Sequence, residues 1–299
     1  MSESHGATAD AATQAFVAHR NLLFTVAYEM LGSAADAEDV LQETWLRWAD
    51  APLEEVRDQR AYLVRITTRL ALNRIRTLTR RKETYVGPWL PEPLLTVPDV
   101  ADDAELADSL STAVLLVLET LSPTERAVFV LREVFSLGYD EIAEAIDKSP
   151  AAVRQIAHRA RDHVAERRPR EAVSSVEARR VLEHFRDAAS GGDLQSLLDV
   201  LAPDVVLLSD GGGFVQAARN PIYGADKVVR FFVGLATKYE IPRFELTTVN
   251  NAPGLVLYYG DEIDGVVTVR VEDGLVTGLY YVRNPSKLGG VSEQVHVER

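Results

Sequence analysis

Arg154, Gln155, His158 and Arg161 recur at the spacing that puts them on one side of an α-helix, while Val153, Ile156, Ala157, Ala160 and Val164 fill the other. Guanidinium, amide and imidazole groups displayed this way are long donors, able to reach phosphates and base edges in a groove about 12 Å wide. The helix has a built start, since Ser149 offers an N-cap hydroxyl and Pro150 suits the first helical position. Ahead of it, Ile142, Ala143 and Ile146 form the apolar face of a shorter helix. Asp147 stands in the turn between them, where the backbone must turn left-handed and Asp tolerates it. The pair reads as a helix-turn-helix; the alternative is an ordinary helical hairpin carrying solvated arginines.

A second cationic surface lies earlier. Residues 60–82 carry eight basic side chains and no acidic one, and Arg65, Arg69, Arg76 and Arg80 fall within about 60° of one another around a helix. Such a stripe complements a phosphate backbone, and Thr67, Thr68 and Asn73 are expected to add groups that read bases. A merely solvated cationic face would be laced with acids at i,i+4, and none is present. Asp36 to Trp48 has the opposite character: Asp36, Asp39, Glu43 and Arg47 lie along one side, with Val40, Leu41, Trp45 and Trp48 available for packing. Acids in a first helical turn also suit the helix dipole, so taken alone that segment is read as structural.

These residues must be positioned by 299 residues, a length that suggests two domains. Apolar residues make up 46% and charged residues 26%, enough to bury a sizeable core. The formal net charge is −13, which taken whole argues against nucleic acid, but it hides segregation: residues 83–111 hold seven acids and no base, directly after the basic stretch. There is no cysteine, which removes disulfides, thiolate zinc sites and thiol nucleophiles and fits a reducing cytoplasm. The longest apolar run, Ala113 to Leu118, is far too short to span a bilayer, so no membrane role is expected. No metal and no cofactor are expected either.

Helical periodicity runs from Thr13 to about Arg81 and again from Leu110 to about Arg168; between them Pro88, Pro91, Pro93 and Pro98 break any helix. After Pro169 come two amphipathic helices, Val176 to Ala189 and Ala225 to Tyr239. Strand-like runs follow at Phe244 to Asn250, Leu255 to Gly260, Val266 to Val271 and Val276 to Arg283, with turns expected at Pro253-Gly254, Asp264-Gly265 and Asp273-Gly274. The fold class expected is therefore multidomain: two all-α parts followed by an α+β domain.

Three segments in order, DAEDVLQETWLRW, RAYLVRITTRLALNRIR and LSPTERAVFVLREVFSLGYDEIAEAI leading into the helix-turn-helix, resemble regions 2 and 4 of an extracytoplasmic-function (ECF) RNA polymerase sigma factor. The linker motif WLPEP (Trp89, Leu90, Pro91, Glu92, Pro93) and a C-terminal part that looks like a SnoaL-like, NTF2-like cone resemble the SigJ-like subgroup. The resemblance divides the chain into region 2 (12–82), an acidic Pro-rich linker (83–110), region 4 (111–168), the SnoaL-like domain (174–288) and a tail (289–299). It implies that Asp36, Asp39, Gln42 and Glu43 meet the β′ clamp helices of core RNA polymerase and that region 4 meets the β flap. It further implies that Arg65, Arg69, Asn73, Arg76 and Arg80 face the −10 element of promoter DNA. Ser149, Arg154, Gln155, His158 and Arg161 would face the −35 element, and the acidic linker would imitate nascent RNA.

Two further subgroup motifs occur in altered form. Asp210, Gly211, Gly212 and Gly213 are followed by Phe214 where the subgroup has Lys, and Asn284, Pro285, Ser286, Lys287 and Leu288 carry Ser where it has Asp. We expect WLPEP, DGGGF and NPSKL to meet at one regulatory interface anchored by Trp89, with the glycines allowing close backbone approach. Some SnoaL-like proteins are isomerases or cyclases, and Asp210 is the carboxylate to weigh as a base; its glycine-rich setting reads first as turn chemistry. The expected function is a non-enzymatic sigma factor regulated in cis. The alternatives are a helix-turn-helix regulator with a sensor domain for an unidentified small ligand, and a SnoaL-like enzyme with a helical appendage.

Overall fold

The computed structural model describes residues 2–82, 84–96, 111–167, 173–291 and 294–295. The acidic stretch 97–110 and most of the tail lie outside the described residues. The chain divides into two compact units. One joins residues 1–81 and 117–167, the other residues 82–116 and 168–295.

The first unit is all helical. Helix α1 (Ser2–Leu31) ends at Gly32, whose φ of 66° is the left-handed stop. Ser33 then caps α2 (Ala34–Ala49) by accepting from the Asp36 N–H. Trp48 is fully buried, and its indole N–H donates to the Ala12 carbonyl, tying the end of α2 to the first half of α1. Helix α3 (Gln59–Lys82) packs Leu63, Val64 and Ala71 inward.

Helix α4 (Thr112–Leu118) leads into α5 (Pro123–Phe129), which opens with a Ser122–Glu125 capping box. A π-helical turn follows (Val130–Val134) and carries the chain to α6 (Tyr139–Ile146) and α7 (Pro150–Ala165). Asp147 between them sits at φ 57°, ψ 54°, and Ser149 caps α7 by accepting from the Ala152 N–H. Ile142, Ala143, Val153, Ile156, Ala157, Ala160 and Val164 are buried, so the helix-turn-helix expected from the sequence is present. Ile146 is half-buried, and Ala145 takes the buried place on α6.

Arg126 of α5 is only 4% exposed; it donates to the Glu29 carbonyl of α1 and pairs with Glu119. A guanidinium buried there must keep those acceptors, because an unpaired buried charge costs several kcal/mol. It therefore holds the two helical groups of this unit together.

The second unit is a mixed sheet with helices on one face and the linker on the other. Its helices are α8 (Ser175–Gly191), α9 (Leu194–Val200) and α10 (Ala225–Ala236). Its strands are β1 (Leu95–Thr96), β2 (Leu201–Asp210), β3 (Ile222–Tyr223), β4 (Arg243–Val249), β5 (Ala252–Tyr259), β6 (Glu262–Glu272), β7 (Leu275–Val282) and β8 (Gln294–Val295), in the order β3-β2-β7-β6-β5-β4-β1-β8. β4 to β7 form an antiparallel meander, and β2 joins β7 in parallel. This is the helix-and-sheet domain expected after Pro169, with a strand (β2) and a helix (α9) that the sequence pattern did not single out.

Alternation along β7 shows why both faces need cover. Leu279 and Tyr281 pack with Val181, Leu182 and Phe185 of α8, whereas Tyr280 and Val282 point the other way and pack with Leu90 of the linker. The linker residues 84–96 are thus part of this unit's core, and β1 extends its sheet by pairing with β4.

Only one of the three expected turn dipeptides is a turn. Asp273 and Gly274, at φ 51° and 74°, close the β6–β7 hairpin. Pro253-Gly254 lies within β5, and the real turn is Asn250-Asn251, both left-handed. Asp264 lies in β6 at a shift of register against β5, a bulge that sends its carboxylate to Tyr281 and Arg283.

Candidate functional site

The recognition-type helix presents its polar side chains as its periodicity demands. Arg154, Gln155, His158 and Arg161 are exposed along α7, opposite the buried face, and Ser149 is exposed at its start. Three polar side chains of this helix have acidic neighbours: His158 Nδ1 lies 3.0 Å from Asp162, Arg161 lies 3.7 Å from Glu133, and Arg159 lies 3.8 Å from Glu125. At these exposures such pairs are worth little and exchange readily for a phosphate.

The basic helix α3 behaves differently at its two ends. Arg69, expected to face nucleic acid, donates instead to the carbonyls of Glu144 (2.8 Å) and Ala145 (3.1 Å) at the end of α6. Those carbonyls belong to the last turn of a helix, where intrahelical donors run out and a cation meets the negative end of the dipole. Arg65 lies over the Tyr62 ring and 3.8 Å from Glu144. Asn73 and Arg76 are exposed and bonded to each other, while the Arg80 side chain lies outside the described residues. Arg65 and Arg69 of the stripe thus draw their compensation from α6 rather than from acids on α3 itself. Thr67 and Thr68 do not join it: both are fully buried, and Thr67 pairs with Thr44 of α2, since they sit on the face of α3 that packs inward.

On α2, Asp36 and Asp39 both receive Arg74 of α3, at 2.6 and 2.7 Å. The Arg74 guanidinium is held above its ordinary pKa, chiefly by the bond to Asp36. Gln42 and Glu43 are exposed, with Glu43 3.8 Å from Arg47. Asp36 thus serves first as a bridge to α3, and the outward polar surface of α2 is Asp39, Gln42 and Glu43.

In the second unit the three motifs converge on one carboxylate. Asp210 is fully buried and accepts from the Tyr85 hydroxyl (2.7 Å), the Leu90 N–H (2.9 Å), the Gly212 N–H (3.0 Å) and the Lys287 ammonium (2.7 Å). Lys287 also donates to the Leu90 carbonyl. Asn284, 1% exposed, donates to the Tyr85 oxygen (2.7 Å), while its Oδ1 accepts from the Ser286 N–H and hydroxyl at the Pro285–Lys287 turn. Burial first, and then the bond to Asp210, push the Tyr85 phenol well above its ordinary range. Gly212 stands at φ 60°, and a Cβ there would lie 2.4 Å from the Asn284 amide nitrogen, so a side chain is excluded.

The apolar anchor is not Trp89. Leu90 is fully buried against Tyr280 and Val282, and Pro91, Pro93 and Leu94 are buried with it, as is most of Glu92. Trp89 is half-buried between two ammonium groups, with Lys82 3.4 Å and Lys287 4.2 Å from its ring centre. Leu288 packs beside Leu90, while Phe214 is 74% exposed and takes no part. Asp210, weighed as a base, has no free lone-pair direction for a substrate. Among the described residues no cluster of metal-ligating side chains occurs, and no helix is long and apolar enough to cross a membrane.

Residues 15–81 match the Sigma-70 region 2 family and residues 111–164 the Sigma-70 region 4 family. The chain is 37% identical over 292 residues to the ECF RNA polymerase sigma factor SigJ of Mycobacterium tuberculosis, covering 92% of each protein. This chain belongs to the ECF RNA polymerase sigma factors. The probable ECF sigma factor SigI of the same species is 33% identical, across 93% of this chain and 95% of that one. The crystal structure of M. tuberculosis SigJ matches this sigma factor with a TM-score of 0.76 at 35% identity, covering 93% of this chain and 98% of that one.

Several participants were not foreseen from the sequence. Tyr85, Arg74 and Arg126 sit in ordinary-looking helical or linker text, and what gives each its role is a partner distant in sequence, whereas Lys82 meets the ring of Trp89 just beyond the end of its helix. Asn250 is the clearest case. Its side chain accepts from the Leu94 N–H and its backbone N–H donates to the Leu94 carbonyl, so one buried hairpin-turn residue clasps the linker.

Proposed function

We propose that this ECF sigma factor contacts core RNA polymerase through Asp39, Gln42 and Glu43 of α2, with region 4 meeting the β flap. The −35 element is read by Arg154, Gln155, His158 and Arg161, and the −10 element by the Asn73, Arg76 and Arg80 end of α3. Arg65 and Arg69 join that surface once they leave α6. The observation that carries this reading is the pairing, in one chain of this family, of an exposed donor-bearing recognition helix with a second, separate cationic helix. A conventional helix-turn-helix regulator needs only the first.

The C-terminal unit acts in cis as a docking module rather than a catalyst, holding the linker through Asp210 and Lys287. Support comes from the carboxylate itself, whose lone pairs are spent on Tyr85, Leu90, Gly212 and Lys287. The protein works in the cytoplasm, where the polymerase is. Run-off transcription with purified core polymerase tests the reading: initiation at the cognate promoter must depend on added chain, and initiation that ignores it refutes the assignment. Arg154→Ala weakens promoter recognition by about 1–3 kcal/mol with polymerase binding intact, and substituting Gln42 and Glu43 by Ala gives the reverse pattern.

A further inference from the structure

Arg154 differs from its polar neighbours on α7. His158, Arg159 and Arg161 each have a carboxylate neighbour, whereas among the described residues the Arg154 guanidinium lies over the face of Tyr139, with Cζ 5.6 Å from the ring centre. Tyr139 is the first residue of α6. Its position is fixed from below by Gly138, whose N–H donates to Glu141 Oε2 at 2.7 Å. Arg132 of the π-helical turn also lies against this ring, at 4.6 Å, and is itself anchored by a 2.8 Å bond to the Leu137 carbonyl. The half-buried ring therefore bears on two guanidinium groups, one tied to the body of the domain and one on the exposed helix.

We propose that Tyr139 is a positioning residue for base reading: it holds the Arg154 side chain in one orientation without using any of its hydrogen bonds. A guanidinium resting on an aromatic face keeps its N–H donors in its own plane, directed outward. An acidic partner would instead occupy that edge, as Asp162 does for His158. A free, oriented fork is what bidentate recognition of a guanine edge requires. The proposal rests on Arg154 reading bases, and it assigns Tyr139 to specificity although its ring need touch no DNA.

The test measures run-off transcription by the holoenzyme at a matched promoter and at promoters with single substitutions in the −35 element, for Tyr139→Leu, Tyr139→Phe, Arg154→Ala and the Leu/Ala double variant. An exposed cation–π contact corresponds to about a two- to fivefold effect. Tyr139→Leu therefore lowers discrimination about two- to fivefold at the base pair that Arg154→Ala relaxes. Tyr139→Phe, which keeps the ring, retains discrimination, and the double variant matches Arg154→Ala alone. Full additivity in the double variant, or equal loss at matched and substituted promoters in Tyr139→Leu, overturns the positioning role. Unchanged discrimination in Arg154→Ala overturns the underlying reading of the helix, a result separable from failure of Tyr139→Leu alone.

Discussion

Replacing Asp210 by Ala removes the acceptor on which the linker node converges. The Lys287 ammonium, whose side chain is 11% exposed, loses its carboxylate while keeping the Leu90 carbonyl and two aromatic faces, and the Tyr85 hydroxyl and the Leu90 and Gly212 N–H groups lose their acceptor. Stripping one partner from a buried ion pair costs about 3–5 kcal/mol, a third or more of the stability of a typical domain. With a urea dependence of about 2 kcal/mol per molar, the unfolding midpoint of the second unit falls by about 2 M. Trp89 reports this unit, since Trp45 and Trp48 belong to the other. Asp210→Leu combined with Lys287→Met leaves no unpaired charge and recovers at least about 2 kcal/mol of the loss. An Asp210→Ala chain with an unchanged midpoint, or a double variant worse than the single, refutes the claim that the carboxylate and ammonium hold the linker as a pair.

Leu90→Ala empties a fully buried site and costs about 2–5 kcal/mol; limited proteolysis then cuts within residues 84–96, which stay protected in the parent chain. Tyr85 has a folded pKa above its ordinary 10, so its contribution to stability is complete below pH 10 and is lost as pH rises through the folded value. Tyr85→Phe flattens that alkaline decline, measured by denaturant midpoints from pH 9 upward, and an unchanged slope shows that the phenol is not the group responsible. Gly212→Ala forces a side chain at φ 60° into Asn284 and costs about 2 kcal/mol or more, read as a lower thermal midpoint.

Periodicity made the helix-turn-helix legible because its determinants are local: the buried face of α7, the Ser149 cap and Pro150, and a left-handed Asp147 all follow from residues within one or two turns. β2 was not legible, because its apolar run fits helix or strand equally and its partner β7 lies far along the chain. Pro253-Gly254 and Asp264-Gly265 carry turn chemistry yet lie in strands. The two left-handed Asn residues, weaker turn formers on paper, close the hairpin because Asn250 gains buried bonds to Leu94. At the linker node the motifs were legible and the contacts were not. The local Gly212 bond to Asp210 is ordinary turn chemistry, whereas Tyr85, Lys287 and Leu90 reach it only through the fold. The cationic helix shows the same limit from the other side. Eight basic residues without an acid advertise a free surface, and three of them are spoken for by Asp36, Asp39, Glu144 and the last carbonyls of α6.

Because residues 84–96 and the first turn of α4 fold with the C-terminal unit, the chain cannot be cut into a sigma factor and a separate regulator at Arg168. A protein ending there keeps Leu90, Leu94 and Thr112 but loses Tyr280, Val282, Asn250 and Thr268, which they contact. What is released is a strip of naked hydrocarbon prone to self-association, so any change of activity on truncation will arrive together with a gain of stickiness. Introducing Asp or Ser at position 90 in the shortened chain separates the two.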